Sequence, residues 1–297
     1  KSAVKLVVPE GSDPSLFKWV AILTGSKNAL KGVGFFLGGL LLTLVGFQTG
    51  VLLLATMVTA ALLTTAIMMK GGLGTTDAGA RFRHMFSNDR AINVLAAARV
   101  FLFASRDVWF VVGLPVYLRS VLDWSFWEVG TFLAIWVIGY GIVQAAAPGI
   151  IGRRNKEKGT VPDGRSAALL GGTLSLLPAV IAISLSAALD PTTVLVSGLV
   201  IFGFLFAINS SVHSFLILSY AKSEKVAMNV GFYYMANAGG RLFGTILSGL
   251  LYQLFGLVGC LWASFAFLLV AAALSLLLPR REHRVRSRAI ARGQAPA

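Results

Sequence analysis

The sequence predicts an all-α, polytopic membrane protein, and three observations carry that prediction. Hydrophobic residues make up 56% of the chain and charged residues only 13%, against about a quarter charged in a soluble domain. The mean hydropathy is +0.78. Residues 32–69 and 129–152 carry no charge, and about 20 apolar residues suffice for one helical crossing. An open sheet cannot exist in lipid, and no alternating ten-residue strand pattern is visible, so the crossings are helices. The net charge of +14 sits in short basic clusters between apolar runs. It therefore reads as a topology signal and not as a nucleic-acid surface.

Eight spans follow in order. Residues 16–47 and 51–69 form the first two, with Gln48-Thr49-Gly50 as the turn between them. A polar loop rich in glycine and arginine leads to the third, 92–118. The fourth is 129–152, followed by the basic loop of Arg153, Arg154, Lys156, Lys158 and Arg165. The fifth, 166–189, turns at Asp190-Pro191 into the sixth, 192–220. Lys222 and Lys225 precede the seventh and eighth, 226–253 and 256–278, and an arginine-rich tail closes the chain. Basic residues gather at both ends and in alternate loops, while the four opposite loops hold one arginine, Arg119. By the positive-inside rule both ends are cytoplasmic. The chain opens at Lys1 on a polar stretch, with neither Met nor a signal peptide, and is expected to be a piece that begins inside a loop.

Charges inside spans single out candidate residues, because an ionised side chain near the bilayer centre costs about 2.5–3.5 kcal/mol on insertion scales and needs water, a partner or a substrate. Arg106 is the foremost, in the middle of the third span. Arg241 lies near the midpoint of the seventh span, with no acidic residue within four positions. Asn229, Tyr233, Asn237 and Arg241 recur every four residues there, as one drifting polar stripe. Lys27 and Lys31, four apart in the first span, reach the interior if that helix starts near Leu16. Arg99 lies within two turns of the cytoplasmic end and is expected to snorkel. Asp107 and His213 are the candidates for carrying a proton, His213 serving otherwise as a packing residue beside Asn209, Ser210 and Ser214. Gly240 and Gly244 are expected to be helix packing contacts.

Two short motifs resemble those of the major facilitator superfamily of transporters. Residues 149–154 (GIIGRR) are similar to its glycine and arginine loop motif, without the acidic residue usual there. Residues 34–39 (GFFLGG) are similar to the fifth-helix motif of its antiporters, with Phe35 where proline is expected. More specifically, residues 24–34 (TGSKNALKGVG), 101–110 (FLFASRDVWF) and 236–244 (ANAGGRLFG) resemble the organoarsenical efflux permeases, the ArsJ family, over essentially the whole chain. The resemblance implies that these are helices five to twelve of a twelve-helix fold. Residues 1–69 would close the N-terminal half, 70–91 form the cytoplasmic central loop, 92–278 the six-helix C-terminal half and 279–297 the basic cytoplasmic tail. It also implies a bacterial inner-membrane exporter of 1-arseno-3-phosphoglycerate. A glyceraldehyde-3-phosphate dehydrogenase would be the functional partner that makes this substrate.

The residues support an anion site without the name. Arginines match phosphate bidentately and lysine adds a point charge, so Arg106, Arg241, Lys27 and Lys31, with Asn237 and Tyr233 beside them, suit a small oxyanion ester with more than one charged group. Trivalent arsenic prefers thiolates, and Cys260 is the only cysteine, so arsenite is a poor cargo. No cofactor or metal is expected. His84, His213 and His283 are scattered and no paired carboxylates share a span, which argues against an enzyme. The absence of a repeated charged ring argues against a channel. Sugar phosphates, other organic anions or drugs are the alternative cargo.

Overall fold

The computed structural model describes residues 13–68, 89–156, 162–221 and 226–279. Among them there are helices and connecting turns and no strand. In chain order the helices are α1 (Asp13–Met68), α2 (Arg90–Phe110), α3 (Gly113–Ser120), α4 (Phe126–Lys156), α5 (Gly164–Ser186), α6 (Pro191–Tyr220) and α7 (Val226–Leu276). Five of these, α1, α4, α5, α6 and α7, are long and apolar enough to cross a membrane, the make-up of a helical membrane protein. Most of the central loop 70–91 and nearly all of the tail 279–297 lie outside the described residues, as do Lys158, Lys222, Lys225, His84 and His283.

Two of the long helices are bent at a glycine. Gly46 in α1 has φ 73° and Gly256 in α7 has φ 63°, the left-handed region that only glycine enters without a Cβ penalty. The first bend replaces the expected turn at Gln48-Thr49-Gly50, which is helical. Beyond it the chain folds back, since Gly50 comes against Leu41 and Val45. The second bend falls where the seventh and eighth spans were expected to meet.

The expected third span is broken at Val111–Val112 into α2 and α3. Pro115 is the cause: it brings no N–H, and its ring clashes with the carbonyl four residues back, that of Val111. The freed backbone is satisfied from α7, where Ser248 Oγ accepts from Val112 N at 3.3 Å and from Gly113 N at 3.0 Å. Other ends are capped conventionally. Asp163 and Ser166 form a capping box on α5, and Asp190 caps α6 ahead of Pro191.

Packing is organised in two close helix pairs around α6. The arm of α1 before Gly46 lies antiparallel to α4, with Gly25, Gly32 and Gly39, seven apart, over Gly141, Ala134 and Gly130. The arm of α7 before Gly256 lies parallel to α2, with Gly240 on Val100 and Gly244 on Ala104. Gly240 and Gly244 thus occupy the packing role expected of them, because small residues let helix backbones touch. Residues 206–218 of α6 are buried without interruption between the pairs. An aromatic cluster centred on Trp109, Trp136, Phe202 and Phe206 fills the space beside them.

Candidate functional site

The cleft between the two pairs, about 160 Å³, brings together three of the expected cations and one wall of aromatic rings. Asn28, Lys31 and Phe35, at spacings of three and four, line it from one face of α1. Arg106 and Phe110 come from α2, Trp136 and Tyr140 from α4 and Arg241 from α7. The rings touch in series: Phe35 to Phe110 at 6.1 Å, Phe110 to Trp136 at 4.9 Å and Trp136 stacked on Tyr140 at 5.9 Å.

Under the cleft lies Asp107, fully buried and shared by both arginines. Arg106 Nε donates to Oδ1 at 2.7 Å with Nη2 at 2.5 Å from the same oxygen, and Arg241 Nε donates to Oδ2 at 2.8 Å. Arg241 therefore does have an acidic partner, 134 positions away in the chain, which neighbour spacing could not reveal. Among the described residues the cleft still holds three cations against one carboxylate. The Arg106 guanidinium is also held over the rings of Phe103 and Phe206, at 5.0 and 5.5 Å, contacts worth about 0.5–2 kcal/mol each depending on desolvation.

The other expected residues divide. Lys27 does not line the cleft; it is exposed one turn before Lys31. Asn237 and Tyr233 do not line it either, although they share a stripe with Arg241. Both face Arg99, whose guanidinium does not snorkel. Arg99 is 4% exposed, donates from Nε to Asn237 Oδ1 at 3.2 Å and from Nη1 to Ser210 Oγ at 3.1 Å and Ser210 O at 3.3 Å. Its guanidinium carbon lies 4.0 Å from the Phe103 centroid and 5.0 Å from that of Tyr233. The reason is the parallel α2–α7 crossing: with Gly240 on Val100 the two backbones touch, and Asn237, one turn earlier on α7, meets Arg99. His213 is buried nearby, its Nδ1 without a hydrogen-bond partner.

A chain of amides and a hydroxyl joins the cleft to Arg99. Asn28 Nδ2 donates to Gln144 Oε1 at 2.5 Å, and Gln144 Nε2 donates to the same Ser210 Oγ that accepts from Arg99, at 3.1 Å. Sequence reading missed Asn28, Gln144, Trp136 and Tyr140. Gln144 had a visible signal, since it is the one amide in the uncharged run 129–152. The aromatic pair had none, because rings are common in any apolar span.

These features define a helical membrane protein with a cationic, aromatic-walled cleft inside its helix bundle. No family model, no curated protein and no solved structure matches the chain.

Proposed function

We propose that this chain is part of an alternating-access membrane transporter that exports a small organic anion, in the manner of the major facilitator superfamily, with α2 and α3 together making one of eight spans. The observation that carries the reading is the convergence of Lys31, Arg106 and Arg241 on one cleft where, among the described residues, Asp107 is the only carboxylate paired with the arginines. Guanidinium groups recognise phosphoryl and carboxylate oxygens in pairs, and each arginine spends its Nε side on Asp107, leaving other N–H donors for a ligand. The most specific cargo is 1-arseno-3-phosphoglycerate, on the resemblance of residues 24–34, 101–110 and 236–244 to the organoarsenical permeases. An arsenate ester has the shape and charge of a phosphate ester. Export from a cell that is negative inside releases about 2.3 kcal/mol per charge per 100 mV, so the membrane potential alone can drive it.

The aromatic wall favours a second reading, in which the cargo is a larger organic anion with an apolar body lying on Phe35, Phe110 and Trp136. One experiment separates the two. Inverted vesicles carrying the full-length protein are assayed for uptake of enzymatically generated 1-arseno-3-phosphoglycerate and of aromatic organic phosphates, with Arg106→Gln and Arg241→Gln at matched expression. Uptake of the arsenical, lost in both variants, is the expected result. Uptake of aromatic phosphates alone selects the second reading, and uptake indifferent to both substitutions removes the two-arginine site.

A further inference from the structure

Arg99 is the feature that the cleft does not explain. Among the described residues it has no carboxylate partner, although it is almost completely enclosed. Burying an ion without a counter-charge costs several kcal/mol even after relaxation, and a snorkelling route to water is absent. Neutral oxygens of Ser210 and Asn237 take Nε and Nη1, and no described group accepts from Nη2.

The surroundings are those of a partly filled oxyanion site. His213 lies on α6 one turn beyond Ser210, whose hydroxyl accepts from Arg99, and presents a buried Nδ1 with no partner. Tyr140, on the wall of the cleft, joins Arg99 through a run of rings, 5.8 Å to Phe206 and from there 5.5 Å to the Phe103 that carries Arg99, and has a buried hydroxyl with no partner. An imidazole N–H, a phenol and a guanidinium are all donors to oxyanions. Position ties the group to the cleft. Phe103 carries Arg99 on its ring at 4.0 Å and Arg106 at 5.0 Å, so the two guanidinium carbons are at most about 9 Å apart. A three-carbon skeleton with an anionic group at each end reaches across that distance.

We propose that Arg99, with Tyr140 and His213 beside it, is a second oxyanion subsite that takes the far charged end of a substrate whose other end sits on Arg106 and Arg241. The proposal rests on the anion-transport reading for its ligand. It makes Arg99 the residue that distinguishes two-ended from one-ended anions.

The test titrates inorganic phosphate, glycerol 3-phosphate and 3-phosphoglycerate against the purified full-length protein, by calorimetry and by thermal unfolding. The unaltered protein is expected to bind 3-phosphoglycerate about tenfold more tightly than glycerol 3-phosphate, the size of one charge-assisted contact. Arg99→Gln is expected to abolish that preference while holding glycerol 3-phosphate within roughly threefold, and Arg106→Gln to weaken both. Where the occupant is instead a free anion, phosphate stabilises the unaltered protein and Arg106→Gln but not Arg99→Gln, and the two esters bind alike; this supports the subsite and reassigns its occupant. A folded Arg99→Gln that keeps both the preference and the stabilisation by phosphate overturns the subsite and leaves the transport reading standing. No binding of any probe by the unaltered protein overturns both. Should Arg99→Gln not fold, Arg99→Lys decides: a reduced preference supports the subsite, and an unchanged one overturns it.

Discussion

Asp107 sets the character of the cleft more than any other single residue. It draws two arginines from different helices onto one carboxylate, and it competes with any incoming anion for their donors. Asp107→Asn removes that competition and the counter-charge together. The expected outcome is inorganic phosphate binding tighter by on the order of tenfold, from the size of one charged hydrogen bond, and, on the transport reading, slower export because release is slowed. Folding should weaken by about 3 kcal/mol, the low end of the range for breaking a buried pair, since Arg241 is 43% exposed. Calorimetry with phosphate and thermal unfolding check the two halves separately. The ionised residues were legible in the sequence because hydrocarbon penalises charge, and Arg106, Arg241 and Lys31 do share a cleft. The pairing of Asp107 with Arg241 and of Asn28 with Gln144 was not legible, because each joins positions more than a hundred residues apart. The stripe of Tyr233, Asn237 and Arg241 was read as one face serving one region. Arg241 instead faces the cleft and the other two face Arg99, since spacing fixes a face but not what each turn of that face meets.

Among the elements, the glycine seams decide how near the helices come. A Cβ on Gly141 would lie 2.5 Å from the Ala29 nitrogen, a backbone atom that cannot swing away, whereas one on Gly139 meets nothing within 4 Å. Gly141→Val is therefore expected to lose about 2 kcal/mol or more by overpacking, and Gly139→Ala to keep or slightly raise the unfolding midpoint, because alanine favours the helix over glycine. Helix ends offer a smaller test. Asp163→Ala removes the capping box of α5 and should cost about 1 kcal/mol, read as a lowered unfolding midpoint with Asn at the same position restoring most of it. Apolar runs made the helices easy to place from sequence. Their breaks were harder: Pro115 lies in plain view near the end of the expected third span, yet the interruption falls four residues before it, and Gly46 bends a run that the polar triplet 48–50 is expected to end.

At the scale of the whole molecule, alternating access predicts that the cleft opens to each side in turn. Cys260 is buried and is the one cysteine of these 297 residues, so with Cys260→Ser, and any cysteine elsewhere in the full-length protein also replaced, Phe35→Cys places a single thiol on the cleft wall. Its labelling by a membrane-impermeant maleimide should occur from both faces of the membrane and slow when a saturating organic phosphate is present. The cleft is also divided between the two glycine-seamed pairs. Arg106, Asp107 and Arg241 all belong to the α2–α7 pair, which Ser248 further ties across the break at Val112 and Gly113. Lys31, Asn28, Trp136 and Tyr140 all belong to the α1–α4 pair. On the transport reading the site is a caliper with one fixed jaw: sliding one pair past the other would carry Lys31, Phe35, Trp136 and Tyr140 toward or away from the arginines and Phe110, while leaving the Asp107 ion pairs undisturbed. Grip on the cargo would then be adjusted by a single spacing, the gap from Lys31 to Arg241, and a pair of spin labels on α1 and α7 reads that spacing directly.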